Sequence, residues 1–272
     1  MDNTGSTGRK RDGQPVDFGR TAHDYVNHRV GFPDSLFDRL RNKGIGTPKH
    51  VVLDLGTGTG VIARGFARGG CHVTGLDISP LLIAESKKLD AQAQVKIDYI
   101  LGPAESIPLP SASVDVVSAG QCWHWFDRRA VLGEVLRLLR PGGVLMIAAF
   151  DWIPFGRNIV ELTEELIEQH NPAQPKPHIR LAMGAGLYPP FVRDLSEGGL
   201  SDIETWSYDH AVRYSHAGWR GRIRASQGVG ATLPAPKVAA FDEELAQLLR
   251  SHFPSDPMDI PHRVWVAHGR KP

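Results

Sequence analysis
The chain has 272 residues, 41% hydrophobic and 22% charged, with a formal net charge of +1, a composition that lets one generously sized domain with an inserted cap bury a full core. So even a charge balance gives no broad basic field, and calls for neither nucleic acid nor an anionic membrane surface as a partner. Cys71 and Cys122 make neither a metal-type pair nor a disulfide framework, no apolar run approaches a membrane span and no signal-peptide pattern opens the chain, all of which suits a reducing cytoplasm.

Residues 1–16 are rich in Gly, Ser, Thr, Asp, Lys and Arg and read as a disordered tail, because they have almost nothing to bury. From Phe18 to Leu40 the residues Phe18, Tyr25, Val26, Val30, Phe32, Leu36, Phe37 and Leu40 recur at helix-compatible intervals, and Pro33 breaks them into two short helices. The pattern then predicts strand 51–55, helix 60–69, strand 73–77, helix 80–89, strand 95–100, strand 114–119, helix 128–139 and strand 144–149. Such alternation predicts an α/β fold, a parallel sheet with helices on both faces. After it come helix 158–169, a Pro- and Gly-rich loop through 171–190, a strand near 203–212, helices near 216–226 and 238–252, and a last strand at 264–268.

The chemistry begins where Val51-Val52-Leu53-Asp54-Leu55 runs into Gly56-Thr57-Gly58-Thr59-Gly60. A glycine-rich turn between a strand and a helix lets backbone approach a ligand closely and presents free N–H groups at the helix start, which is how nucleotide cofactors are held. Val73-Thr74-Gly75-Leu76-Asp77 supplies a second strand ending in a carboxylate, the place from which such folds accept ribose hydroxyls. Two cofactors compete for this loop, since Gly58-Thr59-Gly60-Val61-Ile62-Ala63 also satisfies the dinucleotide fingerprint with an acid about 20 residues on. Asp54 favours the other candidate: a carboxylate sits badly beside a pyrophosphate and suits a cationic ligand such as the amino group of S-adenosylmethionine.

Leu53-Asp54-Leu55-Gly56-Thr57-Gly58-Thr59-Gly60 resembles the first motif of class I S-adenosylmethionine-dependent methyltransferases. The segment Gly102-Pro103-Ala104-Glu105-Ser106-Ile107-Pro108-Leu109-Pro110 with Val114-Asp115-Val116-Val117 resembles that family's adenine-side loop and fourth strand, and Leu138-Leu139-Arg140-Pro141-Gly142-Gly143-Val144-Leu145 its turn into strand five. Gln121-Cys122-Trp123-His124-Trp125-Phe126-Asp127 is similar to the segment of the trans-aconitate-methyltransferase-like members. The resemblance covers Pro33 to Phe150 and implies a Rossmann-like seven-stranded methyltransferase sheet with a cap insertion: lid helices and an S-adenosyl-L-methionine-binding core over 17–150, a substrate cap over 151–230, and a closing helix and strand over 231–272. It places Asp54, Gly56, Thr57, Gly58, Gly60, Asp77, Ile78, Ala104 and Glu105 at the cofactor. It further implies that Tyr25 or Arg29 reaches the methionyl carboxylate; packing for Tyr25 and solvent for Arg29 is the alternative. Pro103 departs from the pattern at the position whose Asp holds the adenine amino group, which leaves the backbone of Ala104 for the ring and bracing as the other role for Glu105.

The residues after the fourth strand face the reacting end in α/β folds. There Gln121 is a candidate for fixing the methionyl part of the cofactor through its amide, His124 for the general base, and Trp125 for an acceptor-pocket wall, with core packing as the other reading of His124, Trp123 and Trp125. Trp152 belongs to an aromatic-rich set between Asp151 and Gly230 that fits a cap over an organic acceptor. Arg220 and Arg224, one helical turn apart, can fork onto a carboxylate, or else form a salt-bridged helix face.

The reading is therefore O- or N-methylation of a small-molecule acceptor by a monomer or homodimer. A trans-aconitate-like carboxyl methyltransferase is the alternative if the arginines face the cleft, and a non-catalytic cofactor-binding protein the alternative from another class. Ser118-Ala119-Gly120-Gln121 lacks the motif with which nucleic-acid amino-methyltransferases grip an exocyclic amine, and the 12 histidines show no metal-site spacing.

Overall fold
The computed structural model describes residues 9–11, 14–16, 30–172, 185–226 and 228–272. Arg9–Arg11 (β1) pairs antiparallel with Gln14–Val16 (β2), Lys10 opposite Pro15, so a short ribbon stands inside the stretch whose composition reads as a tail. The chain divides into two compact units: a larger one of Gly31–Asp151, Leu181–His210 and Arg263–Pro272, and a smaller one of Met1–Val30, Trp152–Arg180 and Ala211–His262. Residues 189–210, expected in a cap, thus belong with the larger unit.

In the larger unit Pro33 precedes α1 (Asp34–Asn42), which buries Leu36, Phe37 and Leu40 at the predicted spacing. Then follow β3 (Val51–Leu55), α2 (Val61–Arg68), β4 (His72–Asp77), α3 (Pro80–Ala93), β5 (Asp98–Leu101), β6 (Val114–Gly120), α4 (Arg128–Leu138) and β7 (Leu139–Trp152). The later elements are α5 (Ile159–His170), α6 (Pro189–Glu197), β8 (Ser201–Tyr214), α7 (His216–Arg224), α8 (Ala235–His252) and β9 (Met258–Arg270). Seven strands join in the order β5-β4-β3-β6-β7-β9-β8. From β5 to β7 all pairs are parallel, and the apolar runs of β3 and β6 are buried on both faces, as such strands must be.

Strand β9 alone runs against the others, so that β8, antiparallel to it, points the same way as β7. Gly142 N–H donates to Lys271 O at 2.9 Å and Lys271 N–H to Gly143 O at 2.8 Å, setting the start of β7 against the end of β9. Ser201 and Thr205 hydroxyls donate to Arg270 O and Val266 O, which sets β8 antiparallel to β9. The sheet order changes direction at β3, which has β4 on one side and β6 on the other, so the crevice beyond the carboxyl ends of β3 and β6 is the topological switch point.

Two differences from expectation have local causes. Helix α6 lies partly in the predicted loop: Pro189 and Pro190 occupy its first turn, where a proline's missing N–H costs nothing, and Phe191 and Leu195 bury one face. Strand β7 starts at Leu139, five residues before its predicted start, because Leu139 already pairs with Val114 and Arg140-Pro141-Gly142-Gly143, turning at Gly142 with a φ of 75°, bulges out before Val144 pairs with Val116. The predicted helix ahead of Pro33 falls outside the described residues.

The smaller unit has its own core. Helix α8 packs on α5 and α7, burying Phe241, Leu245 and Leu249 with Trp219, Ile223, Val160 and Ile167. Trp219 Nε1 is satisfied by Thr163 Oγ1 at 3.1 Å, so the large ring is buried with no polar atom stranded.

Candidate functional site
The loop leaving β3 makes its turns at three glycines with positive φ: 56° at Gly56, 56° at Gly58 and 77° at Gly60. They differ in what surrounds them. A Cβ on Gly56 would stand 3.0 Å from Cys122 Cβ and 3.2 Å from Phe126, and one on Gly60 would strike Ser86 Oγ at 2.2 Å, whereas one on Gly58 would meet nothing nearer than Gly56 O at 3.9 Å among the described residues. Gly56 and Gly60 are glycines because the protein leaves no room; Gly58 has open space beside it among the described residues.

Asp77 closes the site from β4. Its Oδ2 accepts the Gly58 N–H at 2.8 Å and its Oδ1 the Ser79 N–H at 2.9 Å, while Thr57 N–H donates to Leu76 O and Gly102 N–H to Asp77 O. The carboxylate therefore ties the loop to the carboxyl end of β4, and each of its oxygens keeps a lone pair for a ligand hydroxyl. Ile78, next in the chain, is half-buried.

Asp54 occupies different ground. It is buried, its Oδ2 accepting from Thr57 Oγ1 and its Oδ1 from Ser118 Oγ, both at 2.7 Å. Burial pushes its carboxyl up to about 6, against the lowering effect of the two hydroxyls. The acid whose place in the sequence favours a cationic ligand thus braces β3, the loop and β6 together. Ser118, which completes that brace, carried no motif signal.

On the next edge Ala104 is buried and Glu105 exposed. Glu105 Oε1 accepts the Asp127 N–H at 3.1 Å, and Asp127 in turn caps α4 by accepting the Ala130 N–H at 3.2 Å. The bracing role for Glu105 is the one its geometry displays.

After β6 the backbone at Gln121 takes a left-handed φ of 60°, a strained conformation for a residue with a side chain. Its N–H donates to Ala148 O, and its Nε2 donates to Phe150 O at 2.5 Å and Asp151 Oδ1 at 3.1 Å. Asp151 also accepts a short hydrogen bond from the hydroxyl of Tyr188, whose phenol burial and the Asp151 charge push well above its ordinary range. Gln121, Asp151 and Tyr188 thus form one polar cluster at the carboxyl ends of β6 and β7. In sequence Asp151 carries no signal and Tyr188 reads only as one of the aromatic-rich cap set, since they lie 30 and 67 positions from Gln121 in a chain whose spacing there has no pattern.

A single 3₁₀ turn holds Trp123, His124 and Trp125. Trp123 is buried, its Nε1 donating to Asp194 at 2.9 Å, which makes it core. His124 and Trp125 are half-buried, their rings 5.0 Å apart.

Two expected acceptor residues lie in the smaller unit. Trp152 donates to Glu164 at 3.0 Å, meets Trp219 edge-on and carries the Arg222 guanidinium 4.6 Å from its ring centroid. Arg220 takes both oxygens of Asp242, and Arg224 reaches the same carboxylate at 2.7 Å. Burial alone would raise Asp242, but the two guanidinium groups outweigh it and hold the acid below its ordinary range. The arginine fork is engaged by the protein's own carboxylate, the salt-bridged alternative of the sequence reading. Tyr25 and Arg29 fall outside the described residues. Among the described residues no helix is long and apolar enough to cross a membrane, and no three His, Cys, Asp or Glu side chains are grouped to hold a metal ion.

Known proteins resemble this chain over the same stretch. A methyltransferase domain family matches residues 53–147, the stretch from β3 to β7. A malonyl-[acyl-carrier protein] O-methyltransferase of Enterobacter lignolyticus is 29% identical over 221 residues, 79% of this chain and 78% of that protein. An uncharacterized methyltransferase of Schizosaccharomyces pombe is 30% identical over 231 residues, 84% of this chain and 85% of the relative. Among solved structures, a proposed type II methyltransferase of Anaeromyxobacter dehalogenans superposes with a TM-score of 0.68 at 22% identity, over 89% of this chain and 98% of that one.

Proposed function
This chain belongs to the class I S-adenosylmethionine-dependent methyltransferases, and from that membership we propose that it methylates an oxygen or nitrogen atom of a small-molecule metabolite. Membership sets aside both the dinucleotide and the non-catalytic readings: the chain is a methyltransferase enzyme and its cofactor is S-adenosyl-L-methionine. That cofactor, when bound, supplies a methyl group already activated by a sulfonium. The observation that supports the assignment of the site is the glycine loop hung on Asp77, with open space at Gly58 alone of its three glycines.

The chain's own tasks are to hold, to align and to exclude water. In this reading Gly56, Thr57, Gly58 and Gly60 form the cradle, Asp77 accepts the ribose hydroxyls, and Ile78 and Ala104 border the adenine. Asp54 acts by fixing the loop through Thr57 and Ser118, and its remaining lone pairs are what an ammonium group would find. Gln121 spends its amide N–H groups on β7, leaving its carbonyl oxygen for the methionyl end. His124 takes the acceptor's proton when the nucleophile arrives neutral, beside Trp125 as an acceptor wall.

A small acceptor is consistent with the near-neutral charge, and the two buried free cysteines with a cytoplasmic setting. The second reading is carboxylate O-methylation, favoured by the malonyl-[acyl-carrier protein] O-methyltransferase relative, since a malonyl group ends in a carboxylate. Arg220 lends it nothing, its charge being matched by Asp242.

Calorimetric titration with S-adenosylmethionine, S-adenosylhomocysteine and a nicotinamide dinucleotide tests the site. Micromolar binding of the first two alone is the expected result; binding of the dinucleotide instead would overturn every assignment above. Screening phenols, amines and malonyl thioesters for methyl transfer then separates the two acceptor readings.

A further inference from the structure
Under the third glycine of the loop lies a buried polar network that none of the motifs accounts for. Arg64, on the first turn of α2, donates to Asp90 Oδ1 on α3 at 2.9 Å, the two side chains only 11% and 7% exposed. Tyr99 on β5 donates its hydroxyl to Asp90 Oδ2 at 2.7 Å and shares a 2.5 Å hydrogen bond with Ser86, which is wholly buried. The contacts that forbid a side chain at Gly60 come from this network: Ser86 Oγ at 2.2 Å, Arg64 Nη1 at 2.8 Å and the Tyr99 hydroxyl at 3.0 Å from the position of a Cβ.

Tyr99 reaches that place from the edge of the sheet. Strand β4 stands between β5 and β3, and the register sets Gly75 of β4 beside Asp54 on one side and Tyr99 on the other. A Cβ on Gly75 would be 2.8 Å from Tyr99 Cε1 and 2.9 Å from Thr57 Cγ2. The missing side chain in the middle of β4 is thus a slot across which the edge-strand phenol meets the loop, the close approach that an interior strand glycine marks.

Desolvating an arginine and an aspartate is expensive, and a buried ion pair is poor evidence of stabilisation for its own sake. A network with its hydrogen bonds closed does make its surroundings rigid. We propose that Arg64, Asp90, Tyr99 and Ser86 are a positioning network for donor binding, which through Gly60 and the Gly75 slot fixes the glycine loop in the form that receives S-adenosylmethionine. This rests on the cofactor reading given above. Loops whose bound form is already set lose less freedom on binding, and affinity gains accordingly.

The test titrates wild type, Tyr99→Phe and Ser86→Ala with S-adenosylhomocysteine by calorimetry and melts each protein without ligand. Tyr99→Phe deletes the hydroxyl that joins Asp90 to Ser86, and affinity is expected to fall about fivefold to tenfold, the equivalent of about one hydrogen bond. Ser86→Ala leaves the Arg64–Asp90 pair intact, so it reports even if the tyrosine variant folds poorly, and it is expected to weaken binding in the same direction. Variants that melt at lower temperature yet bind with wild-type affinity overturn the inference, because a purely structural network would move Tm alone. Failure of the wild type itself to bind overturns the cofactor reading, a result distinct from parity between wild type and variants.

Discussion

Two buried aspartates at neighbouring strand ends do different work because one is held by two hydroxyls and the other by backbone N–H groups at the loop. Asp77→Ala removes a charged acceptor and unties Gly58 and Ser79, so S-adenosylmethionine affinity is expected to fall by about 1.5–3 kcal/mol while the fold persists; unchanged affinity in calorimetry removes Asp77 from the site. Asp54 instead shapes stability against pH. Its carboxyl titrates near 6 when folded and near the ordinary 3.8 when unfolded, so between those values the folded chain holds a proton that the unfolded chain has released. Stability is then lost as pH rises through that window, by up to about 3 kcal/mol, and stays level above it. Asp54→Asn abolishes this term, and its stability relative to wild type in urea unfolding is expected to increase from pH 4 to pH 7; a constant difference contradicts the assignment. For His124→Ala, turnover is expected to fall with donor affinity nearly unchanged, and unaltered turnover with an identified acceptor would assign the ring to packing.

At the scale of elements, the loop between β3 and α2 carries glycines for separate reasons, and substitution distinguishes them. Gly56→Ala combines left-handed φ with crowding against Cys122 and Phe126, so it is expected to cost more than the roughly 1–2 kcal/mol of the backbone term alone. Gly58→Ala meets no neighbour and is expected to cost only that backbone term in stability, yet to abolish measurable donor binding because its methyl group fills the space the ligand needs. Melting and calorimetry on the pair check both halves of the claim. The loop was legible in sequence because glycine has few other reasons to recur at that spacing between a strand and a helix. Helix α6 was not: a proline pair reads as a loop unless one knows that it opens a helix, and only the burial of Phe191 and Leu195 shows that it does.

Across the molecule, the alternation of apolar runs determined the α/β class, the parallel strands from β5 to β7 and the place of the glycine loop. These follow from local periodicity and turn chemistry, which a chain carries in its own order. The fate of charged side chains far apart in sequence was decided only by tertiary structure. Arg220 and Arg224 were open between an anion site and an ion pair until Asp242, 22 positions beyond Arg220, took both. Arg220→Ala is therefore expected to lower stability by about 1 kcal/mol and to leave S-adenosylhomocysteine affinity unchanged, by urea unfolding and calorimetry respectively; a loss of affinity would return the residue to the site. The same holds for the cluster of Gln121, Asp151 and Tyr188 and for the slot at Gly75 that admits Tyr99. A hydrogen bond or a close approach needs two groups at one point in space, and sequence order does not record which distant groups the sheet register brings there.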